Sequence, residues 1–315
     1  MLSSLSPSIR EDHDPGGPHG TVREVVARRP DRATGGRALR SLDATAFVRM
    51  TRFDVPDELE VVVEGPIRVV RLNRPGQLNA TNHELHKGLA GLFPQIDADD
   101  EARVVVLTGN GKAFSAGGDF AYLDELARDQ ERRQETLAHG RQIVTGMVGC
   151  RVPIVAAVNG AAVGLGCSLV ALSDIVFMAE SAHLADPHVL MGLVAADGGP
   201  VSWPLMISLQ LAKEYALTGD RIPAQRAAEI GLVNHVCPDD EVVEQAMACA
   251  RRIAKLPQRA VEDTRRILNL HLERAVLATL DFALAAEDRS FLSPELRANL
   301  DRLLAQGDQR GKEPE

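Results

Sequence analysis

Short apolar runs alternate with helical patterns along most of the chain. Residues 60–64, EVVVE, and 67–73, IRVVRLN, are rich in β-branched side chains, and comparable runs occupy 103–109, 152–160 and 174–180. Between them, apolar residues recur at helical spacing at about 82–97 and in GLGCSLVALS, which follows residue 163. Because strands and helices alternate, the pattern predicts an α/β protein.

The pattern becomes helical from about residue 205. The segment AAEIGLVNHV predicts a helix that stops at Gly231, and residues 241–256 and 258–273 predict two more, followed by a last helix near 294–305. We therefore predict a core over residues 56–255 and a C-terminal helical region over residues 256–315.

The first 55 residues differ in composition from the rest. They are rich in Arg, Pro, Gly, Ser and Asp, which predicts a poorly ordered tail that buries little apolar surface. No apolar run reaches the roughly 18 residues that cross a bilayer, and the N-terminus lacks the apolar centre of a secretory signal. We expect a cytoplasmic protein without a membrane partner.

The net charge and the spacing of the cysteines narrow the set of possible functions. The formal net charge of the 315 residues is −9, which disfavours a nucleic-acid partner because such proteins carry a basic face. The four cysteines, Cys150, Cys167, Cys237 and Cys249, lack metal-ligand spacing. They predict buried free thiols and no metal site.

Two glycine-rich loops follow apolar strands, at residues 111–120, GKAFSAGGDF, and 159–168, NGAAVGLGCS. Glycines let a ligand approach backbone N–H groups, and the second loop enters a helix N-terminus, where unpaired donors favour negative charge. Either loop alone could be an ordinary turn, and neither matches a nucleotide phosphate loop. Facing one another, they would form an oxyanion hole for an enolate or alkoxide.

Four segments in order resemble the crotonase superfamily, which includes enoyl-CoA hydratases and isomerases. They are RLNRPGQLNA (71–80), VVVLTGNGKAFSAGGDF (104–120), IVAAVNGAAVGLGCSLVALSDIVFMAE (154–180) and YALTGDRIPAQRAAEIGLVNHV (215–236). The resemblance implies a crotonase-like spiral of ββα units, with a C-terminal helical region that forms a homotrimer or a dimer of trimers.

The resemblance also implies a ligand and its contacts. The substrate would be an acyl-CoA thioester, with coenzyme A as part of the substrate and no bound cofactor. Its oxygen would accept hydrogen bonds from the backbone N–H groups of Gly118 and Leu165. The positions that correspond to substrate and CoA contacts are Asn79, Ala80, Ala116, Gly117, Asp119 and Gly164.

The chain departs from the family where a typical hydratase carries two catalytic glutamates, since Ser168 and His188 stand there. A histidine with an ordinary pKa near 6.5 can take a proton from water and return one to carbon. Asp197 follows in a glycine-flanked loop that could turn its carboxylate toward this ring. The same separation resembles the branch typified by 6-oxocamphor hydrolase, whose active-site glutamate falls on Glu287.

These features support three hypotheses. The leading one is an enoyl-CoA hydratase-like lyase of fatty acid or ring-compound catabolism, with His188 as the acid/base and Asp197 and Glu287 as further catalytic groups. The alternative is hydrolysis of a carbon–carbon bond in a cyclic β-diketone. A third is a catalytically silent crotonase-fold subunit, which the missing glutamates motivate.

Overall fold

The computed structural model describes residues 53–310, so all but the last three residues of the predicted N-terminal tail lie outside the described part of the chain. The strands are β1 Leu59–Glu64, β2 Ile67–Leu72, β3 Val104–Gly109, β4 Ile154–Val158, β5 Ala162–Val163, β6 Ile175–Ala179, β7 His183–Ala185, β8 Ile222–Pro223 and β9 His235–Cys237. The helices are α1 His83–Asp97, α2 Phe120–Arg128, α3 Gln130–Gly149, α4 Leu165–Ala171, α5 His188–Met191, α6 Gly199–Met206, α7 Leu209–Thr218, α8 Ala224–Ile230, α9 Val242–Ala254, α10 Gln258–Ser290 and α11 Pro294–Arg310.

The larger sheet has six strands in the order β1-β2-β3-β4-β6-β9. Only the β1–β2 pair is antiparallel, joined by a tight turn in which Gly65 has a φ of 57°. Strands β3 and β4 are buried along their whole length, which explains their unbroken apolar sequences. The predicted α/β class is confirmed.

A smaller sheet has the order β5-β7-β8. In the successive units β4-β5-α4 and β6-β7-α5, the first strand joins the larger sheet, the second joins the smaller one, and a helix follows. This is the ββα arrangement that the resemblance implies. Because β5 and β7 run parallel, the residues that follow them emerge at the same edge.

Most predicted elements are present, and the differences are in length and number. The helix before Gly231 ends as predicted, with a left-handed φ of 93° at this glycine, but the residues after it form β9 beside β6. Helix α10 continues to Ser290, well beyond the predicted 258–273. Helix α2 and the longer helix α3 have no counterpart in the sequence prediction. The boundary between core and helical region at residue 256 stays a prediction.

Two properties concern the described residues as a whole. All four cysteines are buried and free, as predicted. Among the described residues, no helix combines the length and apolar character that a membrane crossing needs.

Helix α10 is attached to the sheet layer through Arg265, whose side chain is 5% exposed. Its guanidinium donates to the carboxylate of Asp174 at 2.7 Å and to the carbonyl of Met147 at 2.9 Å. Asn269 donates to the carbonyl of Val148 at 2.8 Å. The last turn of a helix has carbonyls without intrahelical donors, so α10 satisfies the end of α3. This attachment places the far end of α10 over the site described next.

We predict that Arg265→Ala lowers the free energy of unfolding by about 3 kcal/mol, because it leaves the Asp174 carboxylate and the α3 carbonyls without their donor. The matched control is Arg266→Ala, which removes a 57% exposed side chain paired with Glu273 and should change stability by less than about 0.5 kcal/mol. Urea unfolding of both variants measures the difference. Equal losses in the two variants would contradict the attachment.

Candidate active site

The two glycine-rich loops are joined backbone to backbone. The N–H of Ser115 donates to the carbonyl of Ala161 at 3.0 Å, and the N–H of Val163 donates to the carbonyl of Ser115 at 2.9 Å. Gly117 has a φ of 91°, and a Cβ atom there would lie 3.3 Å from the carbonyl oxygen of Val163. The predicted meeting of the two loops is therefore present.

The two predicted oxyanion donors lie on this junction. Gly118 forms a bridge with Thr81 that uses the N–H of Thr81 and of Asp119, so the N–H of Gly118 takes no part in it. Leu165 is the first residue of α4, where an N–H has no intrahelical acceptor. Within residues 53–310 neither N–H has a hydrogen-bond acceptor, and both residues line the same cavity.

The cavity has a volume of about 570 Å³ and is lined mainly by apolar side chains from α2, α5 and α10. Its ionisable lining includes His188, Asp197 and Glu287, the three residues predicted to be catalytic. A mostly apolar cavity with a few convergent polar groups is the usual form of a small-molecule site.

His188 is the first residue of α5, which begins three residues after the end of β7. Its Cε1 atom lies 3.6 Å from the position that a Cβ atom on Gly164 would occupy, next to Leu165. Its Nδ1 atom is paired with the carboxylate of Asp186, whose side chain is 1% exposed. The ring is thus fixed beside the predicted oxyanion hole.

The hydrogen-bond partner of His188 corrects a sequence-based expectation. Asp197 was expected to turn its carboxylate to the ring, but Asp197 accepts a hydrogen bond from the hydroxyl of Ser168 at 2.7 Å, and Asp186 takes the ring nitrogen. The backbone next to Asp197 packs closely on α4, since a Cβ atom on Gly198 would lie 2.9 Å from that of Ser168. This packing directs Asp197 to Ser168 while leaving it close enough to affect the charge of His188.

The ionisable groups of the cavity shift one another's pKa values. Burial lowers the pKa of His188, but the carboxylates of Asp186, Asp197 and Glu287 outweigh burial and raise that pKa to about 10. Burial, with the negative charge of Asp197, raises the pKa of Glu287 to about 8 despite the opposing effect of His188. Burial also raises the pKa of Asp197, against the effects of His188 and the Ser168 hydrogen bond. At neutral pH the ring is therefore an imidazolium and Glu287 is neutral.

The six predicted substrate and CoA positions divide into two groups. Ala116, Gly117 and Gly164 line the cavity. Asn79 is fully buried, where its amide donates to the carbonyls of Asn110 and Ala113 at 2.9 and 2.8 Å. The backbone carbonyl of Ala80 and the carboxylate of Asp119 both accept hydrogen bonds from the guanidinium of Arg74. The side chain of Asn79 thus supports the loop from within, so any contribution to ligand binding is indirect.

Sequence reasoning missed two residues of the site, Asp186 and His86. Asp186 stands two residues before His188, and this spacing in a non-helical segment was the available signal for the pair. His86 lies on α1 and lines the cavity although it is far from the glycine loops in the sequence. Only the packing of α1 against α3 brings it there.

Comparison with known proteins gives a consistent result. The family model described as enoyl-CoA hydratase/isomerase matches residues 63–300. The mitochondrial enoyl-CoA hydratase of Pongo abelii is 36% identical over 188 residues, which span 60% of this chain and 63% of that protein.

Two solved structures are similar to the chain. An enoyl-CoA hydratase/isomerase from Mycobacterium paratuberculosis is 60% identical, with a TM-score of 0.78 and coverage of 79% of this chain and 100% of the other. A β-diketone hydrolase from the cyanobacterium Anabaena, bound to (S)-3-oxocyclohexyl acetic acid, is 30% identical, with a TM-score of 0.70 and coverage of 75% and 94%. The described chain therefore has the crotonase fold of these two structures.

We predict that Glu287→Gln changes how stability depends on pH. The pKa of Glu287 is about 8 in the folded protein and near its ordinary 4.5 when unfolded, so the folded state binds a proton more tightly. The stability this gives is fully present below pH 4.5 and is lost as the pH rises through 8. The Gln variant lacks this loss, so its stability relative to the wild type should rise between these values.

Urea unfolding at several pH values measures the effect. Asp281→Asn is the matched control on the same helix: its 77% exposed carboxylate pairs with the exposed guanidinium of Arg141, so its difference from the wild type should vary far less with pH. Parallel pH curves for the wild type and Glu287→Gln would contradict a shifted Glu287.

Proposed function

The chain belongs to the enoyl-CoA hydratase/isomerase family, and we propose that it hydrates an enoyl-CoA thioester with His188 as the proton donor. The observation that carries this proposal is the position of His188 beside two N–H groups, those of Gly118 and Leu165, that have no acceptor within the described residues. Such donors stabilise an oxygen as it gains negative charge, and the loss of one typically costs about 3 to 4 kcal/mol of transition-state stabilisation.

The first step follows from the backbone geometry. The thioester oxygen accepts hydrogen bonds from Gly118 and Leu165, so addition of water to the double bond produces an enolate whose charge these N–H groups hold. Coenzyme A enters as part of the substrate, along the loops that carry Ala116 and Gly117.

The proton transfers follow from the charges. His188 is an imidazolium at neutral pH, so it acts as the acid that protonates the enolate carbon, and Asp186 keeps the ring oriented. Asp197 is the base that accepts the proton from water, because its raised pKa makes it a stronger base than an ordinary aspartate. Glu287, neutral at this pH, donates a hydrogen bond that orients the water.

A second candidate function is hydrolysis of a β-diketone. The observation in its favour is the similarity to the Anabaena β-diketone hydrolase, together with the His188, Asp197 and Glu287 cluster. In this reaction water attacks a ketone, the carbon–carbon bond breaks, and the departing enolate is held by the same two N–H groups. His188 would again protonate the enolate carbon.

A panel of enoyl-CoA thioesters and cyclic β-diketones distinguishes the two reactions by product mass. Hydration of a thioester adds a hydroxyl and a hydrogen across the double bond, whereas diketone hydrolysis opens a ring and creates a carboxylic acid. Turnover of thioesters with addition of water supports the first proposal. Ring opening alone favours the second, and absence of both supports the silent-subunit hypothesis.

Assembly into a homotrimer or a dimer of trimers is also proposed. Helix α10 exposes large apolar side chains that a solvated surface would rarely carry, including Leu277 at 86% and Phe282 at 74%. Such a surface supports burial against another copy of the chain.

We predict that His188→Ala lowers turnover by about 100-fold to 10,000-fold with little effect on substrate binding, because the oxyanion donors are untouched.

Asp186→Asn should lower the pKa of the imidazolium, so activity at high pH should be lost at a lower pH than in the wild type. Steady-state kinetics across pH measure both effects.

The control for these variants is His183→Ala, on β7 and outside the cavity lining. It should change turnover by less than about 3-fold. Near-normal turnover of His188→Ala with a lowered melting temperature would identify His188 as a packing residue instead.

We also predict that Leu277→Lys together with Phe282→Lys dissociates the assembly, since each places a charge in the proposed interface. Light scattering at micromolar concentration should give the trimer or hexamer for the wild type and a smaller species for the double variant. A monomeric wild type would contradict the proposed assembly.

A further inference from the structure

His86 lines the cavity but has no role in the chemistry proposed above. It is 8% exposed, and its ring makes no hydrogen bond to any residue of the described chain. Its Nδ1 atom is sealed from the cavity, so Nε2 is the nitrogen that a ligand in the cavity can reach. A buried polar group without a partner costs stability, so such groups in a binding cavity point to a ligand that completes them.

The surroundings of His86 keep its ring neutral. Burial, assisted by the positive charge that His139 and His83 can carry, lowers the pKa of His86 to about 3. The rings of His86 and His139 lie 6.0 Å apart, and those of His139 and His83 lie 5.9 Å apart. A neutral imidazole has one donor and one acceptor nitrogen, which suits a ketone or hydroxyl.

The cavity wall near this cluster has further neutral polar groups. The hydroxyls of Tyr122 and Thr136 are hydrogen-bonded at 2.5 Å, and both residues line the cavity. Tyr122 is in edge contact with His83, with ring centroids 6.1 Å apart. Burial raises the pKa of Tyr122 to about 12, so this hydroxyl also stays neutral.

Helix α10 relates the position of His86 to that of the reacting groups. A Cβ atom on Gly140 would lie 3.9 Å from both the ring of His86 and the side chain of Leu284, so these two side chains face the same point. Glu287 is three residues further along α10, which is about one helical turn, or roughly 5 Å. His86 therefore lies on the cavity wall about one helical turn of α10 from Glu287.

We propose that the acyl part of the substrate carries a neutral oxygen, a ketone or hydroxyl remote from the thioester, and that His86 hydrogen-bonds to it. This inference rests on the proposed function, because it names the substrate class of the same site. A plain hydrocarbon chain would leave the ring of His86 unpaired in the occupied cavity.

The test compares CoA thioesters of equal length. One is a medium-chain trans-enoyl-CoA, and the others carry one keto or one hydroxyl group in the outer half of the chain. We expect the wild type to have a kcat/KM at least about 10-fold higher for one of the oxygenated thioesters, as expected for one neutral hydrogen bond. His86→Leu should abolish this preference, measured as the ratio of kcat/KM for the oxygenated and the plain thioester.

Two further variants separate recognition from packing. His86→Gln keeps a donor and an acceptor and should restore part of the preference. His139→Leu removes a neighbouring ring that does not line the cavity, so it should leave the preference unchanged. Equal kcat/KM for plain and oxygenated thioesters in the wild type, or an unchanged preference in His86→Leu, would overturn the proposal.

Calorimetric binding of saturated thioesters, with and without the remote oxygen, makes the test independent of turnover. If no thioester is converted but binding shows the His86-dependent preference, the proposed reaction fails and the inference stands. If thioesters are hydrated and neither kinetics nor binding shows a preference, the inference fails and the proposed reaction stands.

Discussion

The close approach of two backbone loops is the constraint on which the site depends. A Cβ atom on Gly160 would lie 2.2 Å from the carbonyl of Lys112, and one on Gly166 would lie 2.7 Å from the Cβ of Ser115, so neither position admits a side chain. This contact directs the N–H groups of Gly118 and Leu165 toward the same cavity. Rigid backbone donors need no rearrangement as charge develops, which is why such sites stabilise an enolate well.

The charges around His188 follow from burying several ionisable groups together. Three carboxyl groups surround one imidazole, and burial, assisted by the negative charge of Asp197, keeps one of them, Glu287, protonated at neutral pH. The histidine gains a higher pKa from the same neighbours. In the proposed hydration, His188 is therefore the cationic acid and Asp197, held by Ser168, is the base.

The cavity combines the two N–H groups at one place with a wall that carries neutral polar side chains. The oxyanion donors would serve both enoyl-CoA hydration and diketone hydrolysis, because each reaction passes through an enolate. The reaction is therefore decided by what the rest of the cavity selects. The neutral polar groups of His86, Tyr122 and Thr136 give that selection a chemical basis, since each one lies among apolar side chains.

The sequence by itself determined the α/β class, most strands, the glycine loops and three of the ionisable residues that line the cavity, His188, Asp197 and Glu287. These follow from local patterns and from motifs whose backbone needs glycine. Only the tertiary structure decided that Asp186 rather than Asp197 holds His188, that α10 reaches Ser290, and that His86 joins the cavity. The reason is physical: the partner of a side chain depends on packing between elements distant in sequence, as at Gly198 against Ser168, and a pKa depends on the charges that this packing brings together.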